Sequence, residues 1–234
     1  MTVYRLGPEV IFPEPEEAEP SGLLAVGGDL RPERLLLAYA RGIFPWFSEP
    51  PILWFSPDPR AVVRPAELHV PRRLERTLRQ HKFDVTLDRA FGEVIRACAS
   101  TPRPGQDGTW ITSEMIRGYE ALFELGFAHS CEAWSDGRLA GGIYGVSLGR
   151  AFFGESMFHL ERDASKVAWV TLVRQLQRWD FELFDCQLDN GHLRRFGVVA
   201  WPRSKYLEAL REALTQPTLR GRWQLDRPGA QAGE

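Results

Sequence analysis

Apolar positions along this chain change period several times, and each change marks an element. After Arg31-Pro32, Leu35, Leu36 and Tyr39 keep helical spacing until Gly42 stops the run. Residues 83–87 read as a strand and residues 90–98 as a helix. Thr112 or Ser113 is placed to cap a helix running to about residue 125, with Gly126 just past its end. Residues 127–134 and 139–146 alternate as strands around Asp136-Gly137, a hairpin turn signal. Leu148-Gly-Arg150 turns the chain again into a strand over residues 151–158. Asp163 is expected to cap a helix reaching about Trp179, followed by a strand over residues 182–187 and a helix from Ser204 to about Leu214. A strand meander, then a helix, then a returning strand predicts an α+β fold with a mixed, mostly antiparallel sheet flanked by helices.

The remaining segments lack such periodicity. Residues 1–20 are rich in Pro and Glu and are expected to be irregular. Residues 42–60 are dense in Trp, Phe and Pro; proline excludes regular helix there, so a rigid aromatic platform is expected. The expected division is a small aromatic, Pro-rich N-terminal domain over residues 1–62 and a larger domain over 63–234, with a loosely held tail from about 216.

Two carboxylates interrupt apolar strands. Glu155 lies within Ala151-Phe-Phe-Gly-Glu-Ser-Met-Phe158, and Asp185 within Leu183-Phe-Asp-Cys-Gln187. A carboxylate in a buried run is costly unless paired or used, so each is either a structural ion-pair member or part of a site. Strand alternation predicts that Asp185 and Gln187 share one face.

Composition narrows the chemistry. A formal net charge of −2 with 44% hydrophobic and 26% charged residues is that of an ordinary globular protein without a global basic field. A local basic face does exist: Arg72, Arg73, Arg76 and Arg79 fall on one side of a helix, as a solvated face or as a phosphate-binding patch. Cys98, Cys131 and Cys186 form neither a disulfide framework nor a zinc signature, which fits a reducing compartment. With no leader-like N-terminus and no membrane-length apolar run, a cytoplasmic protein is expected. The five histidines lack ligand spacing, so no metal site is expected, and no Walker loop occurs. Cys186 near His192 is a weak thiol-nucleophile candidate, because its apolar flanks suit a small hydrophobe better. Arg138-Leu-Ala-Gly-Gly142 is similar to the loop with which acetyltransferases hold coenzyme A, but it falls inside a hairpin strand.

Eight motifs then occur in order: Gly27-Gly-Asp-Leu30, Gly42-Ile-Phe-Pro-Trp46, Trp54-Phe-Ser-Pro-Asp-Pro-Arg60, Gly108-Thr-Trp-Ile111, Gly145-Val, Gly154-Glu-Ser-Met-Phe158, Ala164-Ser-Lys166 and Asp185-Cys-Gln187. Together they closely resemble the leucyl/phenylalanyl-tRNA–protein transferase family, over about residues 5–215. The resemblance implies a C-terminal domain of the acyl-CoA N-acyltransferase type. It implies transfer of Leu or Phe, with Met a further candidate, from aminoacyl-tRNA to acceptor proteins with N-terminal Arg or Lys, marking them for degradation. Cofactors are not required, because the aminoacyl ester is already activated. Asp185 and Gln187 are implied to orient the attacking amine, with Gln187 held by a network including Glu155, and the carboxylates to attract the acceptor's basic side chain. Trp46 and Trp110 match positions that stack on the terminal adenosine of the tRNA, and Tyr39 and Tyr119 match others near it. Ile143, Phe152, Met157, Trp169 and Leu172 are candidates for the amino-acid pocket. The family often carries Leu and Phe where this chain has Trp169 and Leu172, which leaves the Leu versus Phe preference open. A monomer is expected. The competing readings are a coenzyme-A-dependent N-acyltransferase and a catalytically silent tRNA-binding module.

Overall fold

The computed structural model describes residues 3–101, 110–189, 191 and 193–226. The elements are β1 (Tyr4–Leu6), β2 (Leu23–Gly27), α1 (Pro32–Ala40), β3 (Phe44–Pro45), β4 (Leu53–Phe55) and β5 (Arg60–Val63). Then follow α2 (Arg72–Arg79), β6 (Asp84–Leu87), α3 (Phe91–Ser100), α4 (Ser113–Glu124), β7 (Ala128–Ser135), β8 (Arg138–Leu148) and β9 (Ala151–His159). The chain closes with α5 (Ala164–Arg178), β10 (Leu183–Gln187), β11 (Val199–Trp201) and α6 (Arg203–Leu214).

Two sheets form. The smaller has four strands in the order β1-β2-β4-β3, and the larger seven in the order β11-β5-β10-β9-β8-β7-β6. In the larger sheet β10 runs parallel to β9 and antiparallel to β5, while β6 to β9 form an antiparallel meander. The parallel pair needs a crossover, which α5 supplies. The sheet is therefore mixed and mostly antiparallel, as the periodicity predicts.

Local signals set several boundaries. Asp136 and Gly137 both have positive φ, the conformation that the tight turn between β7 and β8 requires. The Thr112 hydroxyl accepts the Met115 N–H at 3.2 Å and caps α4. Asp163 departs from expectation. It adopts a left-handed φ of 71° before α5 without capping it, and its carboxylate pairs with Lys166 at 2.6 Å. The Arg138–Gly142 run is an ordinary part of β8. A Cβ at Gly141 would lie 2.7 Å from the Ala164 Cβ, so that glycine lets the first turn of α5 rest on the sheet.

The N-terminal segment is more regular than expected, since β1 pairs in parallel with β2. The aromatic platform is built on β3 and β4. The whole of β5 belongs to the larger sheet, so the chain passes between sheets at residues 56–59, ahead of the expected boundary at 62/63. One apolar core joins the sheets, running from Trp54 and Tyr39 to Tyr144 and Phe153. The tail corrects a second expectation. Residues 216–226 are held against the larger sheet, with Trp223 only 3% exposed, because its indole finds an apolar bed that composition alone does not reveal. Among the described residues, no helix is long and apolar enough to cross a membrane.

Candidate active site

Gln187 is the point where two buried networks meet. The first surrounds Glu155, which β9 carries inward and leaves 8% exposed. Tyr39, in the last turn of α1, donates its hydroxyl to Oε1 at 2.7 Å, and Tyr119 of α4 donates to Oε2 at 2.8 Å. Gln187 donates its Nε2 to Oε1 at 2.7 Å. The two tyrosine hydroxyls also touch each other. Three contacts among Tyr39, Tyr119 and the carboxyl thus share two phenolic protons, and a third proton on Glu155 would complete the ring. Burial pushes the Glu155 carboxyl up to about 7; hydrogen bonds from Tyr39, Tyr119 and Gln187 oppose the rise, and nearby Asp185 adds to it.

The second network surrounds Asp185, which is fully buried. Arg60 grips it with a guanidinium fork, Nε to Oδ1 at 2.9 Å and Nη2 to Oδ2 at 2.7 Å. Tyr206 donates to Oδ2 at 2.8 Å, and the Gln187 backbone N–H donates to Oδ1 at 2.8 Å. These four bonds occupy the carboxylate's lone-pair positions. Arg60 is itself held by the Gly42 carbonyl at 3.1 Å and between the rings of Phe44 and Tyr206, at 4.7 and 4.6 Å. From β5 it therefore ties β10 and α6 to the segment that runs from Gly42 into β3.

Asp185 and Gln187 share a side of the strand as alternation predicts: they bond to Tyr206 and to the Tyr39- and Tyr119-bound Glu155, while Phe184 and Cys186 pack in the other apolar cluster. The ladder is nonetheless irregular. The pairing of β10 with β5 slips between them, Cys186 is the extra residue of a bulge, and Gln187 has φ of 63°. Asp185 turns into the Arg60 pair, while Gln187 is only partly buried. Asp185 is thus neither open to an incoming amine nor an uncompensated charge for a basic side chain. Burial also pushes the Cys186 thiol well up, which disfavours the thiolate that a nucleophile needs. Its proposed companion His192 lies outside the described residues.

The other candidates divide. Trp46 is 40% exposed and packs edge-on against Phe55 at 5.6 Å, so its ring is presented outward. Trp110 is partly buried against the core; Gly108 and Thr109 before it lie outside the described residues. Tyr39 and Tyr119, expected near the tRNA end, are completely buried, and their hydroxyls bind Glu155. A pocket beside the sheet is lined by Met157, Ser165, Lys166, Trp169, Leu193 and Phe196. Of the five candidates for the amino-acid pocket, Met157 and Trp169 are among its lining residues. Ile143, Phe152 and Leu172 are not lining residues but are buried in the adjoining core. Arg72, Arg73, Arg76 and Arg79 all lie on α2 at the surface, and Glu75 on the same helix binds Arg174 of α5 at 2.6 Å.

Sequence reasoning gave no role to Arg60, Tyr206, Leu193 or Phe196. Arg60 left one signal, a charged residue heading the apolar run Arg-Ala-Val-Val of β5. The others left none, because their neighbours come from distant segments.

Residues 62–211 match the family described as leucyl/phenylalanyl-tRNA protein transferase, and residues 28–58 match its N-terminal domain. The chain is 61% identical over 234 residues to the leucyl/phenylalanyl-tRNA–protein transferase of Anaeromyxobacter sp. (strain Fw109-5), with both chains covered completely. It is 58% identical to that of Myxococcus xanthus (strain DK1622), covering 95% of this chain and 97% of the relative. It is 56% identical to that of Nitratidesulfovibrio vulgaris (strain DP4), covering 96% and 97%. Site and relatives together define an aminoacyltransferase. The chain belongs to the leucyl/phenylalanyl-tRNA–protein transferase family.

Proposed function

We propose that this chain moves leucine or phenylalanine from the 3′ end of tRNA onto the N-terminal amine of proteins beginning with Arg or Lys, and that Gln187 positions that amine. The supporting observation is the double fixation of Gln187. Its carboxamide nitrogen is bound to Glu155 at 2.7 Å and its backbone N–H to Asp185 at 2.8 Å. With Nε2 engaged, the carboxamide oxygen is left to accept a hydrogen bond from the attacking amine. The amine nitrogen forms a bond to the ester carbonyl carbon, the bond from that carbon to the ribose oxygen breaks, and the amine's proton ends on the ribose hydroxyl. An α-amine with a pKa of roughly 7.7–8.0 is partly neutral near pH 7, so the enzyme's task is chiefly orientation.

The remaining roles follow the surfaces. Trp46, with Trp110, stacks on the terminal adenosine. The apolar pocket with Met157 and Trp169 takes the donor side chain. The α2 arginines contact tRNA phosphates. Both reaction partners, charged tRNA and new protein N-termini, belong to the cytoplasm.

The test is transfer of labelled Leu and Phe from their tRNAs to an Arg-started peptide, wild type beside Gln187→Ala. Transfer by the wild type and its collapse in the variant, with tRNA still bound, is expected. Full activity in Gln187→Ala would remove Gln187 from the centre of the site, and an inactive wild type would remove the reaction.

A further inference from the structure

We infer that the C-terminal segment 216–226 shapes the donor side-chain pocket, with Trp223 as a positioning residue that acts through Phe152 and Phe184. The inference rests on the pocket reading above and lies beyond the matched residues 62–211.

The segment is tied along its length to elements behind the pocket. The Thr218 hydroxyl accepts the Gly149 N–H at 2.8 Å, in the turn between β8 and β9. The Trp223 backbone N–H donates to Asp88 Oδ2 at 2.7 Å, and the same oxygen meets His129 Nδ1 at 2.8 Å. Its indole stacks on His129, with ring centres 3.5 Å apart and planes 7° from parallel. Farther on, Asp226 accepts bonds from Gln175 and Trp179, at the last turn of α5.

From Trp223 a line of ring contacts leads to the pocket. Trp223 meets Phe152 at 5.9 Å, Phe152 meets Phe184 at 5.2 Å, and Phe184 meets Trp169 at 5.7 Å. Trp169 lines the pocket. Phe152 has little room to yield sideways, since a Cβ on Gly145 would already lie 2.6 Å from its ring. Phe184 is equally confined, with a Cβ on Gly154 placed 2.7 Å from it. Close-packed rings transmit displacement rather than absorb it. The indole therefore sets how far Phe152 and Phe184 stand forward, and Asp226 fixes the far end of the helix that carries Trp169.

A smaller residue at 223 would let the two phenylalanines retreat and would deepen the pocket, favouring Phe over Leu as donor. The experiment compares kcat/KM for Phe-tRNA and Leu-tRNA in full-length Trp223→Phe, Trp223→Leu and Met157→Ala, each checked for folding by thermal melt. The Phe:Leu ratio should rise in graded fashion, least in Trp223→Phe and about fivefold in Trp223→Leu, a modest effect for a volume change in an apolar pocket. Equal reductions for both donors would mean a purely structural tail and overturn the inference. If Trp223→Leu does not fold, Trp223→Phe decides, and an unchanged ratio in it is the refuting result. Met157→Ala separates the two readings. A ratio altered by Met157→Ala but not by Trp223 substitution sinks the inference alone, whereas a ratio altered by neither sinks the pocket reading as well.

Discussion

Glu155 and Asp185 lie on neighbouring parallel strands, are both buried, and are both bound at each oxygen, yet their surroundings differ in one respect. The partners of Asp185 include the Arg60 guanidinium, whereas the side chains bound to Glu155, those of Tyr39, Tyr119 and Gln187, are all neutral. A guanidinium repays desolvation with opposite charge, while neutral donors repay it only in part. Asp185 is therefore a fixture that locks backbone and domains, and Glu155 is a group whose charge state changes near working pH. Gln187 is held by one of each.

The comparison breaks most visibly at Arg60. Arg60→Ala leaves Asp185 buried without its cation, at a cost of about 3–5 kcal/mol. In a chain of this length that lowers Tm by roughly 10 °C. Glu155→Gln leaves no unpaired charge buried and should lower Tm by far less. Thermal denaturation of the two variants tests the distinction, and equal decreases would mean that both carboxylates are structural in the same sense.

Activity should depend more strongly on Glu155, the buried residue that holds Gln187. Glu155→Gln puts an NH2 group in place of one oxygen, against Tyr39 and Gln187 at Oε1 or against Tyr119 at Oε2, and so loosens the hold on the Gln187 carboxamide. A misplacement of that order lowers kcat/KM on the order of 100-fold. Binding of tRNA, measured by filter retention, should stay unchanged; a parallel decline in binding would count against a role confined to the amine.

Titration sharpens the contrast further. With its carboxyl at about 7 in the fold and 4.5 ordinarily, Glu155 holds its proton in the folded state where the unfolded chain has released it. The folded state then binds more protons between these values, so this group's contribution to stability falls as pH rises through that window, by roughly 3 kcal/mol at most. The ionised form is the better acceptor for Gln187, so transfer should increase as pH rises through about 7. In Glu155→Gln both the stability slope and that limb of the rate profile should vanish, leaving only the limb of the amine. A rate profile identical to wild type would remove Glu155 from the pH dependence.

The contrast also shows what a sequence discloses. Thr112 and Asp136-Gly137 act within a few residues of themselves, so their cap and turn were legible, as was the helix–strand order they punctuate. Glu155, Asp185 and Gln187 stood out because polar groups interrupt apolar strands. Their partners did not, because Tyr39, Arg60 and Tyr206 reach them from segments far away in the chain. The bulge at Cys186 left no signal in the sequence, because it is set by pairing with the distant strand β5. Tyr39 and Tyr119 stood out by resemblance, but their bonds to Glu155 did not, because burial is a tertiary property. Trp223 lay in a tail whose Pro, Gly and Gln content suggested looseness, and only the aromatic bed beneath it explains its burial.

The smallest expected effect on stability comes from arginines opposite in kind to Arg60. The charge of Arg60 is cancelled by Asp185, whose oxygens stand 2.9 and 2.7 Å from its guanidinium nitrogens. On α2, Arg76 and Arg79 lie at the surface, and Arg79 is paired with Glu75 at 3.6 Å. An exposed pair of that kind contributes about 0–1 kcal/mol, so the double substitution Arg76→Ala, Arg79→Ala should leave Tm nearly unchanged. Its consequence lies in binding. The chain's formal net charge is −2, so attraction to phosphate must come from local patches rather than from the whole molecule. Removing arginines that neutralise phosphates should weaken binding of all tRNAs alike and reduce the slope of log K against log salt by about 1 for each, about 2 for the double variant. Affinities measured across a salt series, for wild type and the double variant, give that slope directly. A slope that stays the same would leave α2 as a solvated face and move the phosphate-binding groups elsewhere on the protein.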